Sequence, residues 1–278
     1  LSSLILVTLP IGNKEDITLR ALEVLKSKSV FYAEDTRVFK EHLKSFEIQY
    51  SNKEIDSFHD HSEDKIGRII SRIINGEDIV LVSDAGSPVI SDPAYPLIKK
   101  AIENKIEIKS CPGVTSVITA LELSGLSSNP FHYWGFLGRT KGDKKSFFKS
   151  LELIAGTHIF FESPHRMIES LEIYFDVFPD KEIILARELT KKFEEVVRLN
   201  KEKFLKEKSS LVIKGEFVAL FNQEYASNER VSDDIKFEVN EFLDKGGNTK
   251  KLAKIFAKIL DRDTREIYSQ MIHKKEIE

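Results

Sequence analysis

Ile79-Val80-Leu81-Val82-Ser83-Asp84-Ala85-Gly86-Ser87-Pro88-Val89-Ile90-Ser91-Asp92-Pro93 is the stretch that decides the fold. Its first four residues are apolar, mostly β-branched and uncharged, the pattern of a strand buried on both faces. The strand stops in turn-formers, because Asp84, Gly86, Ser87 and Pro88 cannot all continue it. Pro93 then opens a helix at Ala94, and Asp92 before it reads equally as a helix cap and as a ligand-facing carboxylate. Strand, constrained loop and helix make one unit of a parallel α/β sheet, and such sheets bind ligands beyond the carboxyl ends of their strands. The loop 84–92 is therefore a candidate ligand wall, although an ordinary strand-to-helix turn uses the same residue types.

The flanking chain repeats the alternation. Residues 4–8 predict a central strand, and Pro10-Ile11-Gly12-Asn13 a turn. Asp16 or Thr18 caps a helix with Leu19, Leu22 and Leu25 on one face. Residues 30–33 predict a second strand, ending in Glu34-Asp35-Thr36-Arg37 before a helix to about Phe46. Residues 62–75 carry Ile66, Ile69, Ile70, Ile73 and Ile74 at helical spacing, with Asn75-Gly76 as the stop. Leu97, Ile98, Ala101 and Ile102 mark the helix after the opening loop, and residues 106–108 a further strand. Alternating strands and helices predict a mostly parallel sheet covered on both faces.

Cys111-Pro112-Gly113 separates this half from a second α/β half. There, residues 115–124 predict a helix closed by Gly125, residues 168–178 another, and residues 131–136, 157–161, 183–186, 195–199 and 216–221 strands. Residues 137–145 read as a loop rich in Gly, Lys and Arg. With so many consecutive strands, this sheet is expected to be mixed. Residues 222–232 read as a polar linker to a small helical unit resembling a helix-turn-helix. Phe237, Val239, Phe242 and Leu243 would face one way in its first helix, with residues 249–260 and 264–272 forming two more. The expected domains are 1–112, 113–222 and 233–278.

Composition bounds the function. Among 278 residues, 41 % are hydrophobic and 31 % charged, with a net charge of -3, so attraction to nucleic acid must come from local patches. The segment from Arg139 through Lys141, Lys144 and Lys145 is one basic patch, and Lys250, Lys251, Lys254 and Lys258 form a second. Either patch also reads as solvated helix surface. The single cysteine, Cys111, excludes an internal disulfide and fits a reducing cytoplasm. The first seven residues read as a strand, not as a signal peptide, and no apolar run is long enough to span a bilayer. No G-x-G-x-x-G or Walker sequence is present. His59-Asp60-His61 reads as a polar loop, and no metal is expected. Five strand-end loops, at 10–13, 84–92, 112–116, 162–166 and 187–190, predict one pocket between the two halves.

The loops also carry a resemblance. Thr8-Leu9-Pro10-Ile11-Gly12-Asn13, Ala33-Glu34-Asp35-Thr36-Arg37, Val82-Ser83-Asp84-Ala85-Gly86-Ser87-Pro88, Phe161-Glu162-Ser163-Pro164-His165-Arg166 and Ala186-Arg187-Glu188-Leu189-Thr190-Lys191 occur in that order. They resemble the family of small-subunit ribosomal RNA 2'-O-methyltransferases that modify a decoding-centre cytidine, within the tetrapyrrole-methylase superfamily. The resemblance implies a class III methyltransferase fold, with two α/β domains, a cleft between them and a small C-terminal helical domain. It implies S-adenosylmethionine as cofactor, contacted near Leu9, Pro10, Ile11, Asp84, Gly86, Ser87, Ile90, Ser116, Val117, Phe161, Ala186, Arg187 and Phe217. It implies 16S ribosomal RNA in the small ribosomal subunit as partner and a homodimer as assembly. Loop placement makes Glu34, Asp35, Glu162 and Glu188 the candidates for a general base, and Arg37, Arg139, Lys141, Lys144, Lys145, His165 and Arg166 the candidates for RNA contact. Two rival functions are a small-molecule corrin or porphyrin methylase and a ribosome-binding module without catalysis.

Overall fold

A computed structural model of the chain describes residues 2–59, 63–91, 94–224, 242, 247–260 and 263–273. Leu1–Gln223 forms one compact unit and Glu224–Glu278 a second.

The first unit holds two five-stranded sheets. In the first, β1 (Ser3–Val7), β2 (Val30–Ala33), β3 (Glu54–Ser57), β4 (Ile79–Val82) and β5 (Glu107–Cys111) lie in the order β3-β2-β4-β1-β5. Every pair is parallel. Helices α1 (Leu19–Ser27) and α2 (Thr36–Ser45) cover one face; α3 (Glu63–Ile74) and α4 (Ala94–Glu103) cover the other. Strand alternation feeds both layers. Ile5, Val7, Val80 and Val82 pack with Ala21, Leu25, Phe39 and Leu43, whereas Leu4, Ile79 and Leu81 pack with Ile69, Ile73 and Leu97. All four residues of β4 are buried, as its sequence requires.

The second sheet is mixed, with the order β6-β7-β10-β8-β9. It comprises β6 (Phe131–Phe136), β7 (Gly156–Glu162), β8 (Ile183–Arg187), β9 (Glu195–Leu199) and β10 (Phe217–Gln223). Only β6 and β7 run parallel; the other neighbours are antiparallel. Helix α5 (Ser116–Ser124) packs on one face, closed by Gly125 at φ 72°. Helices α6 (Lys141–Ser150), α7 (Pro164–Val177) and α8 (Lys201–Glu207) pack on the other. Ile11 packs among Val117, Leu121, Ile184 and Val218, so a loop of the first sheet is built into the core of the second.

Several expectations are corrected. Residues 141–145 are helical: Thr140 and Asp143 form a reciprocal capping box that starts α6, despite Gly142 in its first turn. Leu19 is 83 % exposed, because the buried positions of α1 are Ala21 and Leu25. Ile74 and Ile102, at the ends of their helices, also face outward. Strand β3 and helix α8 were not anticipated, since charged residues dominate both. Asp92 and Pro93 lie outside the described residues, as do Asp60 and His61.

In the second unit, α9 (Thr249–Leu260) and α10 (Thr264–His273) pack through Ala253, Ala257 and Ile267. Lys250, Lys251 and Lys254 are exposed there. The expected helix around Phe237 to Leu243, Phe242 apart, lies outside the described residues, as does the side chain of Lys258. No described helix is long and apolar enough to cross a membrane.

Candidate active site

Strands β1 and β4 are neighbours, but β1 leads toward β2 at one side of the sheet and β4 toward β5 at the other. Their carboxyl ends therefore flank a topological switch point, where the two loops can part and leave a crevice. The loops are tied at their base: Leu9 N–H donates to Gly86 O and Gly86 N–H to Leu9 O, each at 3.0 Å. Gly86 holds φ 73°, a left-handed conformation that glycine adopts without a Cβ clash. The Ser83 hydroxyl reaches the carbonyls of Ala85 and Gly86 at 3.2 and 3.3 Å, and His42 Nε2 lies 2.9 Å from Asp84 O. These bonds fix the backbone of the opening loop.

The loop forms one wall of a cavity of about 440 Å³ between the two sheets. Ile11, Glu34, Asp84, Gly86, Ser87 and Ile90 line it from the first sheet. Phe136, Phe161, Glu162, Ala186, Leu189 and Gly215–Val218 line it from the second. Two helix starts open onto it, Thr115–Ser116 of α5 and Ser163–Pro164 of α7, and neither capping residue supplies a side-chain cap. Their N–H groups make these ends electropositive. At α7 the Glu162 carboxylate answers, with Oε1 accepting the Ser163 N–H at 2.7 Å.

The side-chain charge is one-sided. Glu34, Asp84, Glu162 and Glu216 line the cavity, and no lysine or arginine does so among the described residues. Glu216 is paired with Lys191 at 2.9 Å. Glu162 is saturated: Arg166 Nη2 lies 2.6 Å from Oε1, the Ser170 hydroxyl donates to Oε2 at 2.6 Å, and Lys144 Nζ lies 3.6 Å from Oε2. Asp84 has no lysine or arginine partner among the described residues; its Oδ1 accepts the Asp35 N–H at 2.9 Å. Burial pushes the Asp84 carboxyl above its usual range, and the nearby Asp35 charge adds to the rise.

Nine of the thirteen expected cofactor-contact residues line this cavity: Ile11, Asp84, Gly86, Ser87, Ile90, Ser116, Phe161, Ala186 and Phe217. Leu9, Pro10 and Val117 are instead buried behind it. Arg187 points from the opposite face of β8 into a second cavity, of about 370 Å³, where it pairs with Glu195. Thr115 lines the first cavity within the expected loop 112–116, whereas Phe136 and Glu216 line it without having been anticipated. Thr115 was legible as a helix cap, and Phe136 follows a strand glycine, a bulge signal.

Of the four base candidates, Glu34 and Glu162 line the cavity. Asp35 caps α2, and Arg37 at 2.7 Å helps hold its carboxyl down at about 2. Glu188 is half-buried; although burial opposes it, the Glu216 N–H and Lys191 hold its carboxyl below the usual range. Of the RNA candidates, Arg37, Arg139, Lys141, Lys145 and His165 are exposed. Lys144 is corrected: its side chain is fully buried, with Nζ donating to Glu169 at 2.8 Å, because it shares the inward face of α6 with Phe148. The Arg166 charge is likewise committed to Glu162.

Comparison with known proteins agrees with this architecture. A family model described as tetrapyrrole (corrin/porphyrin) methylases matches residues 3–204. The "Ribosomal RNA small subunit methyltransferase I" of Bacillus subtilis (strain 168) is 36 % identical over 274 residues, spanning 95 % of this chain and 92 % of that protein. Among solved structures, diphthine synthase superposes with a TM-score of 0.62 at 15 % identity, covering 79 % of this chain and 90 % of its own. Uroporphyrin-III C-methyl transferase from Thermus thermophilus, complexed with S-adenyl homocysteine, gives 0.51 at 16 % identity, covering 80 % and 98 %. With that match over most of the chain and the relative along nearly its whole length, the chain belongs to the tetrapyrrole methylase family, with the ribosomal RNA small subunit methyltransferase I proteins as its relatives.

Proposed function

We propose that this protein methylates the ribose 2'-hydroxyl of a decoding-centre cytidine in 16S ribosomal RNA, with S-adenosylmethionine as donor. The observation that carries the donor is the cavity lining. Asp84 lacks a lysine or arginine partner among the described residues, while apolar walls and the start of α5, which has no side-chain cap, adjoin the same space. That lining repels polyphosphates and suits a ligand bearing a cationic sulfonium and ammonium beside one carboxylate. The carboxylate belongs at a helix start and the cationic groups toward Asp84 and Glu34. The RNA substrate follows from the name of the Bacillus subtilis relative.

A bound sulfonium supplies an already activated methyl group. The protein's task is then to orient the hydroxyl, exclude water and accept one proton. We assign that proton to Glu34. It stands at the end of β2 and lines the cavity beside Asp84, whose N–H it accepts at 3.5 Å, whereas Asp35 and Glu188 do not line it and Glu162 is held by Arg166, Ser170 and Lys144. Glu34→Gln is expected to lower kcat by about 10²-fold while leaving S-adenosylhomocysteine affinity within a fewfold, as read by single-turnover methylation and calorimetry. Unchanged kcat would leave positioning as the whole of catalysis.

The function itself is tested with methyl-labelled S-adenosylmethionine and small ribosomal subunits lacking the modification, with the product nucleotide mapped. Transfer to a cytidine ribose is expected. A methylated base, or methylation of a corrin without transfer to RNA, contradicts the proposal and favours the small-molecule reading that the family model's description allows.

A further inference from the structure

Strand β6 is an edge strand of the second sheet, and its pairing with β7 slips by one residue. Tyr133 stands opposite Ile159, but Phe136, not Gly135, stands opposite Phe161. The extra residue is absorbed at Gly135, which holds φ 71°. Strict alternation would put Tyr133 and Gly135 on the cavity face and turn Phe136 away with Trp134. The bulge reverses this for Phe136 alone. Tyr133 and Phe136 both meet the Phe161 ring, at centroid distances of 5.1 and 5.3 Å. Trp134 stays on the other face, donating to His158 Nδ1 at 3.0 Å and meeting Phe147. Phe136 thus lines the cavity, yet it remains 59 % exposed. The backbone has been bent to hold an apolar ring at the mouth of the site, where burial does not explain it.

We infer that Phe136 is the stacking platform for the base of the nucleotide being methylated. This rests on the proposed RNA methylation and adds how the acceptor is held. A nucleobase is flat, aromatic and uncharged, so it can enter a cavity lined by carboxylates that would repel its phosphates. Those phosphates belong outside, and the exposed cations Arg139, Lys141 and Lys145 follow Phe136 directly in the chain. An aromatic ring beside a cationic track is how proteins hold unpaired RNA, whose bases can swing out of the stack onto a ring. The ring supplies affinity for any base; choice of base falls to other groups.

Phe136→Ala, Phe136→Leu and Phe136→Trp test the platform, with methyl transfer to unmodified small subunits, S-adenosylhomocysteine calorimetry and the oligomeric state measured for each. The expected result is a loss of about tenfold or more in kcat/KM for the alanine and leucine variants, near-complete retention by tryptophan, and cofactor affinity and assembly as in the wild type. Full activity of the alanine variant overturns the platform, as does equal rescue by leucine and tryptophan, which means apolar filling only. Parallel loss of cofactor binding makes Phe136 a cofactor wall, and an altered oligomeric state makes it a contact between copies; either also overturns it. If the wild type transfers no methyl group to RNA, the proposed function itself has failed, an outcome separate from any pattern among the variants.

Discussion

Asp84→Asn raises the melting temperature at neutral pH and weakens S-adenosylmethionine binding by about tenfold to a hundredfold. Both effects have one cause. The Asp84 carboxyl is driven above its ordinary 3.8 by burial and by the Asp35 charge. The folded protein therefore disfavours the ionised form that the unfolded chain accepts freely. The sign follows from linkage. Below 3.8 the group is protonated in both states and makes no difference to stability. As pH rises through that value toward the raised folded one, the wild type loses stability that the asparagine variant keeps. Above the folded value the gap is constant. Asparagine retains the oxygen that accepts the Asp35 N–H, so the loop geometry is preserved. A bound sulfonium or ammonium relieves the unmatched charge, and a close opposite charge at a partly screened site is worth about 1–3 kcal/mol. Scanning calorimetry against pH and titration with the cofactor measure the two halves. Equal affinity of variant and wild type would remove Asp84 from the cofactor site.

Glu162→Ala costs stability on the order of 3–5 kcal/mol, the range for breaking a buried pair from one side. Four donors converge on this carboxylate, from Ser163, Arg166, Ser170 and Lys144. Removing it leaves the Ser163 N–H and the Ser170 hydroxyl without this acceptor, and the buried Lys144 with Glu169 alone. A unit of this size should lose roughly 10 °C in melting temperature. Glu162→Gln keeps one carbonyl oxygen for the Ser163 N–H and should lose less. It should also methylate at a rate close to wild type at temperatures where it is folded, because a saturated carboxylate positions the start of α7 and takes no proton. A folded glutamine variant with no activity would assign the proton to Glu162 and not to Glu34.

The frame of the fold was legible because it rests on burial. The uncharged run at β4 and the isoleucine spacing of α3 can only be satisfied inside a covered sheet, and both formed where expected. The charged elements were less legible. Pairing partners distant in sequence make β3 a strand, and a capping box overrides Gly142 in α6. Lys144 was misread because a lysine in a basic run is usually solvated; here Glu162 and Glu169, both far off in sequence, supply the charge that permits its burial. The cavity loops were placed by their position after strands and by resemblance. The direction of Phe136 depends on a register slip of β6 against β7, which strand alternation in the sequence does not encode.

The most direct test of the account is a crystal structure of the full chain with S-adenosylhomocysteine. The ligand is expected in the cavity between the two sheets, with main-chain groups of Ser87 to Ile90 along it, its carboxylate at the start of α5, and its ammonium toward Asp84. A ligand bound instead in the second cavity beside Arg187 and Lys203, or away from the 84–90 loop altogether, would contradict it.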